Sequence, residues 1–423
     1  MAKTLTKKLT INGGRLYAAL KDLGKVGAYK DENSGLVGVN RLALTEKEGE
    51  GRRLVIKWFK EAGLKVVVDK IGNVYAKREG QDDDLPPLLL GSHIDSVPTA
   101  GIFDGCLGVL GALEVVRTLN DHKVATRRPL VIGFFTEEEG CRFGTDMLGS
   151  ATATGRLKLA DAYQIKDRDG LTVRGELEKI GFLGKTELGH IKPRAYMECH
   201  IEQGPILRHK GLDIGVVTGV QAISWRELTI LGKSAHAGTT PMSFRKDAGV
   251  AASRINVKLR EMIASGRYGH EMRATMGSWK VNPGMVNIVP NKVICSIDLR
   301  NPSDAFMKKV ESELDSFIKV VEKEEGVKIE WRSTAKTPLV PFDESVQQLI
   351  ADTADSLGLS HERILSGAGH DAQEWSHVCP TAMVFVPGEY DGISHNPREF
   401  SAERQCTDGV NVLLNASLAF LND

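Results

Sequence analysis

Four short segments carry histidines and carboxylates, the side chains that bind Zn²⁺ and Mn²⁺ in proteins. The first, GSHIDSVPTAGIFDG, contains His93, Asp95 two residues later, and Asp104 in a glycine-flanked loop. Residues two apart in an extended chain face the same side. Asp95 is therefore expected to orient the His93 imidazole by accepting its other ring N–H, as the partners of metal-bound histidines usually do. This predicts that Asp95 supports a ligand rather than binding a metal itself.

The second segment, FFTEEEGCRFG, places Glu137, Glu138 and Glu139 directly after an apolar run, and the other two, ECHIEQG and GISHNP, add His200 and His395. A run of glutamates is usually a solvated surface, and a lone loop histidine is usually a surface or core residue. Adjacent carboxylates repel one another, however, and a cation compensates that cost. Nitrogen and oxygen donors that gather at strand ends are what two neighbouring divalent cations require.

Alternating strand and helix patterns position these segments. The apolar runs LLLGSHIDS and PLVIGFFTEEEG are typical of buried strands, and the helical pattern GVLGALEVVRTLN lies between them. A helix is also predicted over residues 46–62, followed by a hairpin that turns at Gly72-Asn73. The strand–helix–strand order predicts a mostly parallel sheet covered by helices. Ligands bind at the carboxyl ends of such strands.

The pattern changes from about Gly219. Strand, helix, strand pair, helix and strand are predicted in ISWRELTILGKSAHAG, DAGVAASRINVKLREMIAS, MVNIVPNKVICSIDLRN, DAFMKKVESELDSFIKVVEKEEG and VKIEWRST. Helix, strand and helix then follow in VQQLIADTADSLG, TAMVFVPG and TDGVNVLLNASLAFLN. The sequence thus predicts an α/β domain of residues 1–218 and 336–423, with a smaller α+β domain, residues 219–335, inserted in it.

Bulk properties exclude several classes of function. With 55 basic and 55 acidic residues among 423, the chain has no net charge that would attract nucleic acid or an acidic membrane. We expect a cytoplasmic protein without a membrane span, because no apolar stretch is long enough and the first residues lack a signal-peptide pattern. Six cysteines without a CxxC pair indicate reduced thiols. P-loop and Gly-Xaa-Ser-Xaa-Gly patterns are absent from the sequence, so neither nucleotide nor serine-hydrolase chemistry is supported.

Six strings in order resemble the carbamoylase branch of the M20 metallopeptidase-like family: GSHIDSVPTAGIFDG, FTEEEGCRFG, HIEQGPIL, GKSAHAGTTPM, SGAGHDA and GISHNP. That branch includes N-carbamoyl-L-amino acid hydrolases, β-ureidopropionases and allantoate amidohydrolases. The resemblance runs from about residue 20 to the carboxyl terminus. It implies a mostly parallel-sheet catalytic domain that holds two Zn²⁺ or Mn²⁺ ions. It also implies that the inserted domain acts as a lid and forms a homodimer.

The resemblance assigns five side chains to the two cations, namely His93, Asp104, Glu139, His200 and His395. Asp104 corresponds to the carboxylate that bridges both cations. One cation takes His93 and His200, and the other takes Glu139 and His395.

The chemistry that the resemblance implies is hydrolysis of a carbamoyl C–N bond. Bound cations lower the pKa of water from 15.7 towards about 7. Glu138 corresponds to the general base that takes the proton of this water and later returns it to the leaving nitrogen, a contribution of about 10²–10⁴-fold. Glu137 has no assigned role and is expected to be a solvated neighbour.

Four further residues correspond to substrate contacts, namely Gln203, His236, Asn287 and Arg300, and His370 is also expected to contact substrate because its loop lets backbone N–H groups approach a ligand. Gln203 could instead bond backbone groups of its loop. Arg300 suits bidentate recognition of a substrate carboxylate, and it is expected to share a surface with Asn287 on an adjacent strand. Its alternative is an ion pair within the inserted domain. His236 follows a strand pattern. His370 follows two glycines in SGAGHDA.

Several functions remain open at this point. We expect an enzyme that cleaves an N-carbamoyl-L-amino acid or a related ureido acid and releases ammonia. Allantoate amidohydrolase and β-ureidopropionase are the alternatives with the same chemistry. A dimetal dipeptidase would share the metal ligands, and a non-catalytic binding protein could share the fold.

Overall fold

The computed structural model describes residues 8–423. These residues divide into a larger unit, which extends to Val220 and resumes over Pro341–Asp423, and a smaller unit, Gln221–Val340. Residues 1–7 are outside the described residues. The prediction that the first residues lack a signal-peptide pattern falls partly on them. Across residues 8–423, no helix has both the length and the apolar character needed to cross a membrane.

The strands of the described residues are, in chain order, β1 (Ala28–Lys30), β2 (Val37–Val39), β3 (Lys65–Val68), β4 (Val74–Arg78), β5 (Leu88–His93), β6 (Leu130–Phe135), β7 (Ala195–Ile201), β8 (Ile214–Val220), β9 (Ala222–Leu231), β10 (Arg273–Thr275), β11 (Trp279–Asn282), β12 (Lys292–Asn301), β13 (Lys328–Thr337), β14 (Val340–Pro341), β15 (His361–Ser366) and β16 (Thr381–Val386).

The α-helices of the described residues are α1 (Gly13–Gly24), α2 (Glu46–Glu61), α3 (Cys106–Asp121), α4 (Leu148–Ala153), α5 (Leu159–Gln164), α6 (Val173–Ile180), α7 (Ile206–Lys210), α8 (Ala248–Ala264), α9 (Asp304–Glu325), α10 (Glu344–Leu357), α11 (Asp371–Trp375) and α12 (Glu403–Leu421).

The larger unit is built on a sheet that, within the described residues, has nine strands in the order β14-β8-β16-β7-β5-β6-β4-β3, with β15 beside β8. The central strands β16, β7, β5 and β6 are parallel, which confirms the predicted mostly parallel sheet. The pairs β16–β8, β4–β6 and β3–β4 are antiparallel. Every residue of β5 and β6 is buried, because helices cover both faces of a parallel sheet.

The predicted elements around the central sheet are confirmed. Helix α2 fills the predicted range, strands β3 and β4 form the hairpin, and α3 connects β5 to β6. Helix α3 is apolar on nearly every side and almost entirely buried. The helix therefore packs inside the unit, with its first turn at the carboxyl end of β5. The cysteines of the described residues are free, as predicted.

The smaller unit has its own antiparallel sheet and core. Strands β10, β12, β9 and β13 follow one another across the sheet, and β11 also pairs with β12. Side chains of β9 and β12 alternate between buried and partly exposed. Their buried faces join residues of α8 and α9 in one hydrophobic cluster. The predicted α+β arrangement is thus present, with the sheet covered by helices on one face.

Candidate metal centre

The predicted ligand segments meet at the carboxyl ends of the central parallel strands. His93 is the last residue of β5 and is in register with Phe135, the last residue of β6. Glu137–Glu139 follow β6 after a single threonine. His200, near the end of β7, is in register with a residue of β16. The sheet register therefore brings these segments to one edge, as expected for ligand sites in parallel sheets.

A tight turn at Gly105 brings Asp104 against His93. Gly105 has φ +62° and ψ −43°, and the Cys106 N–H donates to the Asp104 carbonyl at 2.6 Å. This is a γ-turn, a conformation that strains residues other than glycine. A Cβ at Gly105 would lie 2.4 Å from three ring atoms of His93. Only glycine therefore allows the backbone to pass this close to the imidazole.

Asp104 lies at the centre of the candidate ligands. Its Oδ1 is 3.5 Å from His93 Nε2 and 3.2 Å from His200 Nε2. Its Oδ2 is 3.5 Å from His395 Nε2, which in turn is 3.3 Å from Glu139 Oε2. The side chains form two groups with spacing suitable for a metal ion, and Asp104 belongs to both. The two oxygens of one carboxylate thus face different donor groups.

Main-chain carbonyls orient both buried imidazoles. His93 Nδ1 is 3.1 Å from the carbonyl oxygen of Asp95, and His200 Nδ1 is 2.9 Å from that of Ile201. A hydrogen bond at Nδ1 fixes the ring and directs Nε2 away from that carbonyl, as in metal-bound histidines. The Gly105 N–H donates to His200 Nε2 at 3.1 Å. Both Nε2 atoms face Asp104.

The charges at this site fit divalent cations. Glu139 Oε1 is buried and has no hydrogen-bond partner among the described residues. The Glu139 carboxylate, with Asp104, raises the pKa of His395 to about 11. The pKa of His93 is also raised well above its ordinary value, because Glu138, Asp104 and Asp95 outweigh its burial. The excess of carboxylates around these imidazoles, and the mixed nitrogen and oxygen donors, would suit Zn²⁺ or Mn²⁺.

Glu138 lies beside this group without belonging to either ligand set. Its Oε2 is 3.5 Å from His93 Nε2, and the residue is only 6% exposed. Burial raises the pKa of Glu138 well above its ordinary value, and the neighbouring carboxylates add to the effect. A carboxyl group with a raised pKa is suited to take up and return a proton.

Asp95 supports the site differently from the prediction. Its carbonyl, not its carboxylate, is the nearer partner of His93 Nδ1, since Asp95 Oδ1 is 3.6 Å away. The carboxylate instead faces the main-chain N–H groups of Glu138 and Glu139, each at 3.4 Å. Asp95 therefore links the β5 loop to the β6 loop.

The prediction that Glu137 is a solvated neighbour is wrong. Glu137 is 1% exposed, and its Oε1 accepts N–H bonds from Arg142 at 3.0 Å and Phe143 at 2.9 Å. Burial raises its pKa to about 8. The chain turns back after Gly140 and covers this side chain. Glu137 thus holds the loop that carries Glu138 and Glu139.

Gln203 contacts the candidate bridging carboxylate directly. Its Nε2 donates to Asp104 Oδ2 at 2.7 Å, from a backbone with φ +55°. The alternative role, bonding to the backbone of its own loop, is not the contact observed. Its Oε1 is buried without a hydrogen-bond partner among residues 8–423. That oxygen remains able to accept a bond from a substrate N–H.

His370 is a buried neighbour of His200. It is 1% exposed, its ring lies edge-on to that of His200 at 4.6 Å, and its Nε2 is 2.9 Å from Ser366 Oγ. His370 also forms, with Glu198 and His200, a third group of side chains with metal-ligand spacing, and its contact with substrate stays a prediction.

Two of the predicted substrate contacts lie close together in the smaller unit. His236 is exposed, and its Nδ1 accepts N–H bonds from Gly238 at 3.0 Å and Thr239 at 3.2 Å. Asn287 is also exposed, and its carbonyl accepts the Ala237 N–H at 3.0 Å. Asn287 lies in a turn, so the strand predicted for MVNIVP is wrong. Proline and glycine flank the segment at Pro283-Gly284 and Pro290, and both interrupt strand pairing.

Arg300 forms an ion pair within the smaller unit, which was the alternative to recognition of a substrate carboxylate. It lies on β12 two residues after Asp298, on the same partly exposed face. Its Nη2 is 2.9 Å from Asp298 Oδ2, and its Nε is 3.1 Å from both carboxylate oxygens.

Sequence reasoning missed three polar residues of the site, the buried Glu198 and Glu399 and the partly buried Ser394. Ser394 Oγ lies 2.8 Å from both Asp104 Oδ2 and Glu399 Oε2. Glu198 is within reach of His200, but the hydroxyls of Ser92 and Tyr196 donate to its carboxylate at 2.7 and 2.8 Å. Glu198 and Ser394 lie two and one residues from predicted ligands, a spacing that could have drawn attention to them.

Comparisons with known proteins identify the family of the chain. The family described as peptidase family M20/M25/M40 matches residues 89–419, a span that contains every candidate ligand and Glu138. The N-carbamoyl-L-amino-acid amidohydrolase of Rhizobium meliloti is 39% identical over 411 residues, which cover 96% of each chain. The allantoate amidohydrolase of Bacillus subtilis is 32% identical and aligns with 89% of this chain and 91% of its own.

A solved structure is similar over the whole fold. The amidase of the hydantoinase/carbamoylase family from Burkholderia vietnamiensis superposes with a TM-score of 0.94 and 40% identity, covering 98% of both chains. The predicted resemblance is thereby confirmed. The protein is a hydrolase that belongs to peptidase family M20/M25/M40.

Proposed function

We propose that the protein is a dimetal amidohydrolase that cleaves the carbamoyl C–N bond of an N-carbamoyl-L-amino acid or a related ureido acid. Ammonia is one product, and carbamoyl substrates also yield CO₂. The observation that carries the proposal is the position of Asp104, whose two oxygens face separate donor groups. Glu138 lies beside the first of these groups, with its Oε2 3.5 Å from His93 Nε2.

The proposed ligand sets follow those two groups. His93 and His200 hold one cation, Glu139 and His395 hold the other, and Asp104 is shared. When bound, Zn²⁺ or Mn²⁺ ions supply Lewis acidity, which polarises the carbonyl of the substrate and makes water more acidic.

Glu138 performs the proton transfers. It accepts a proton from the attacking water as the new C–O bond forms, and donates that proton to the nitrogen as the C–N bond breaks. Its buried position and raised pKa suit both steps. The Asp95 carboxylate supports the Glu138 backbone, and the free Oε1 of Gln203 accepts an N–H of the ureido group.

Recognition of the substrate carboxylate is assigned to the smaller unit. Arg300 and Asn287 bind the carboxylate, and His236 polarises the carbonyl group. In this structure the Arg300 guanidinium forms an ion pair with the Asp298 carboxylate. The substrate carboxylate therefore competes with Asp298 for the same two parallel hydrogen bonds.

We further propose a cytoplasmic homodimer that pairs through the smaller unit. Strand β13 lies at the edge of that sheet and is largely exposed, including Trp331 at 45%. A free strand edge can extend a sheet across a two-fold axis.

Allantoate is the second candidate substrate, since the allantoate amidohydrolase of Bacillus subtilis is among the relatives. Allantoate and N-carbamoyl amino acids both present ureido and carboxylate groups. Pocket shape discriminates between such substrates by about 1–3 kcal/mol per methylene.

Ammonia release from a substrate panel tests the proposal. Metal-stripped protein, reloaded with Zn²⁺ or Mn²⁺, would be assayed with N-carbamoyl-L-amino acids, N-carbamoyl-β-alanine, allantoate and dipeptides. We expect metal-dependent ammonia release that is fastest with an N-carbamoyl-L-amino acid. The Glu138→Gln variant should bind metal normally but turn over about 10²–10⁴-fold more slowly. Cleavage of dipeptides alone, or near-normal turnover by the metal-loaded variant, would contradict it.

A further inference from the structure

Glu399 is a buried carboxylate that connects two loops of the metal centre. It is 5% exposed. Its Oε1 accepts main-chain N–H bonds from Phe103 at 3.0 Å and from Asp104 at 3.1 Å. Its Oε2 is 2.8 Å from the hydroxyl of Ser394. One side chain therefore binds the backbone on which Asp104 is carried and the residue that precedes His395.

The contacts continue from the backbone to the ligand side chain. The Ser394 hydroxyl is also 2.8 Å from Asp104 Oδ2. Because the hydroxyl has a single hydrogen, the Asp104 and Glu399 carboxylates share this donor. Glu399 thus acts on Asp104 directly at its N–H and indirectly through the shared Ser394 hydroxyl. A third bond joins the same loops, from Thr99 Oγ1 to the carbonyl of His395 at 3.0 Å.

The loop before Asp104 is wrapped closely around Glu399. A Cβ added at Gly101 would lie 2.6 Å from two atoms of the Glu399 side chain. Burying a further carboxylate beside Asp104 is costly. An apolar side chain would fill this space without that cost, but it could not accept the two N–H bonds, so the hydrogen bonds account for a polar acceptor at this position.

We propose that Glu399 is a positioning residue that fixes the Asp104 carboxylate between the two donor groups and so sets the affinity for both cations together. The inference rests on the proposed metal centre. Glu399 itself touches neither substrate nor cation.

Two substitutions of similar size separate this role from simple packing. In Glu399→Gln, the amide oxygen can still accept both N–H bonds, and the amide N–H can donate to Ser394. In Glu399→Met, the volume is kept but the hydrogen bonds are lost. We expect the glutamine variant to bind cations within a few-fold of wild type. The methionine variant should lose about 10–100-fold in affinity, as is typical when the partner of a metal ligand is removed.

A remote carboxylate provides the matched control. Glu114 on α3 is also buried, and it accepts the Asn12 N–H at 3.2 Å and pairs with Arg15. Glu114→Gln should lower the thermal unfolding temperature without changing cation affinity. Affinity would be measured by competition with a chromogenic chelator for Zn²⁺. The visible spectrum of Co²⁺-loaded protein would report ligand geometry, and it should change in Glu399→Met but not in Glu114→Gln.

The outcomes distinguish the two proposals. Wild-type protein that binds fewer than two Zn²⁺ ions would overturn the proposed function and this inference together. Wild type with two ions, and Glu399→Met with the same affinity and Co²⁺ spectrum, would overturn only the role of Glu399. If Glu399→Met does not fold, Ser394→Ala removes the contact to Asp104 Oδ2 instead. It should weaken Zn²⁺ binding several-fold, and unchanged binding would overturn the inference.

Discussion

Replacing Gly105 with alanine is expected to disable the metal centre through a single methyl group. The new Cβ would lie 2.4 Å from Cδ2, Cε1 and Nε2 of His93, whereas ordinary contact begins near 3.4 Å. The imidazole must therefore retreat by about 1 Å, a displacement that can cost about 10²-fold in rate. The positive φ adds backbone strain of about 1–3 kcal/mol.

The two costs have different readouts. Strain lowers the unfolding temperature, while displacement of His93 should weaken metal binding by about 10–100-fold. The control is Gly181→Ala at the end of α6, where φ is +77° but no atom lies within 4 Å of the added Cβ. The control should lose stability and keep its metal. A folded Gly105→Ala protein with wild-type metal affinity would refute the reasoning.

Three further predictions follow from other residues. Burial raises the pKa of Asp69 from 3.8 to about 7, so its protonated form stabilises the fold. That stabilisation is complete below about pH 4 and is lost as the pH rises to 7. Urea unfolding of metal-free protein should show this fall relative to Asp69→Asn, and equal slopes would disprove it. Arg300→Lys keeps the charge but loses the fork, and should lower kcat/KM about 10- to 150-fold; an unchanged kcat/KM would remove Arg300 from the site. Light scattering should give twice the 46.1 kDa chain mass, and a fully active monomer would contradict the proposed dimer.

The residues at strand ends could be predicted from sequence because sheet geometry determines where they lie. An apolar run that ends in His93, or in the glutamates after β6, places those side chains at the carboxyl edge of a parallel sheet. The position of Asp104 between the two donor groups depends instead on the γ-turn at Gly105. The glycines around Asp104 predict a loop, but they do not predict this turn type.

Other features depend on contacts distant in sequence. Glu399 is one of several charged residues in its loop, and the local sequence does not indicate that it is buried. Its burial arises from contact with a loop 295 residues earlier. Glu137 was misjudged because a run of glutamates looks solvated until the chain turns back over it. The Asp298–Arg300 pair, in contrast, follows from strand alternation, since residues two apart share a face.

Anomalous diffraction from crystals loaded with Zn²⁺ or Mn²⁺ tests the central claim most directly. The account predicts two peaks about 3.5–4 Å apart, with Asp104 between them. His93 and His200 should lie at one peak, and Glu139 and His395 at the other. A single peak at full occupancy, or two of these side chains turned away from the metals, would contradict the dimetal site.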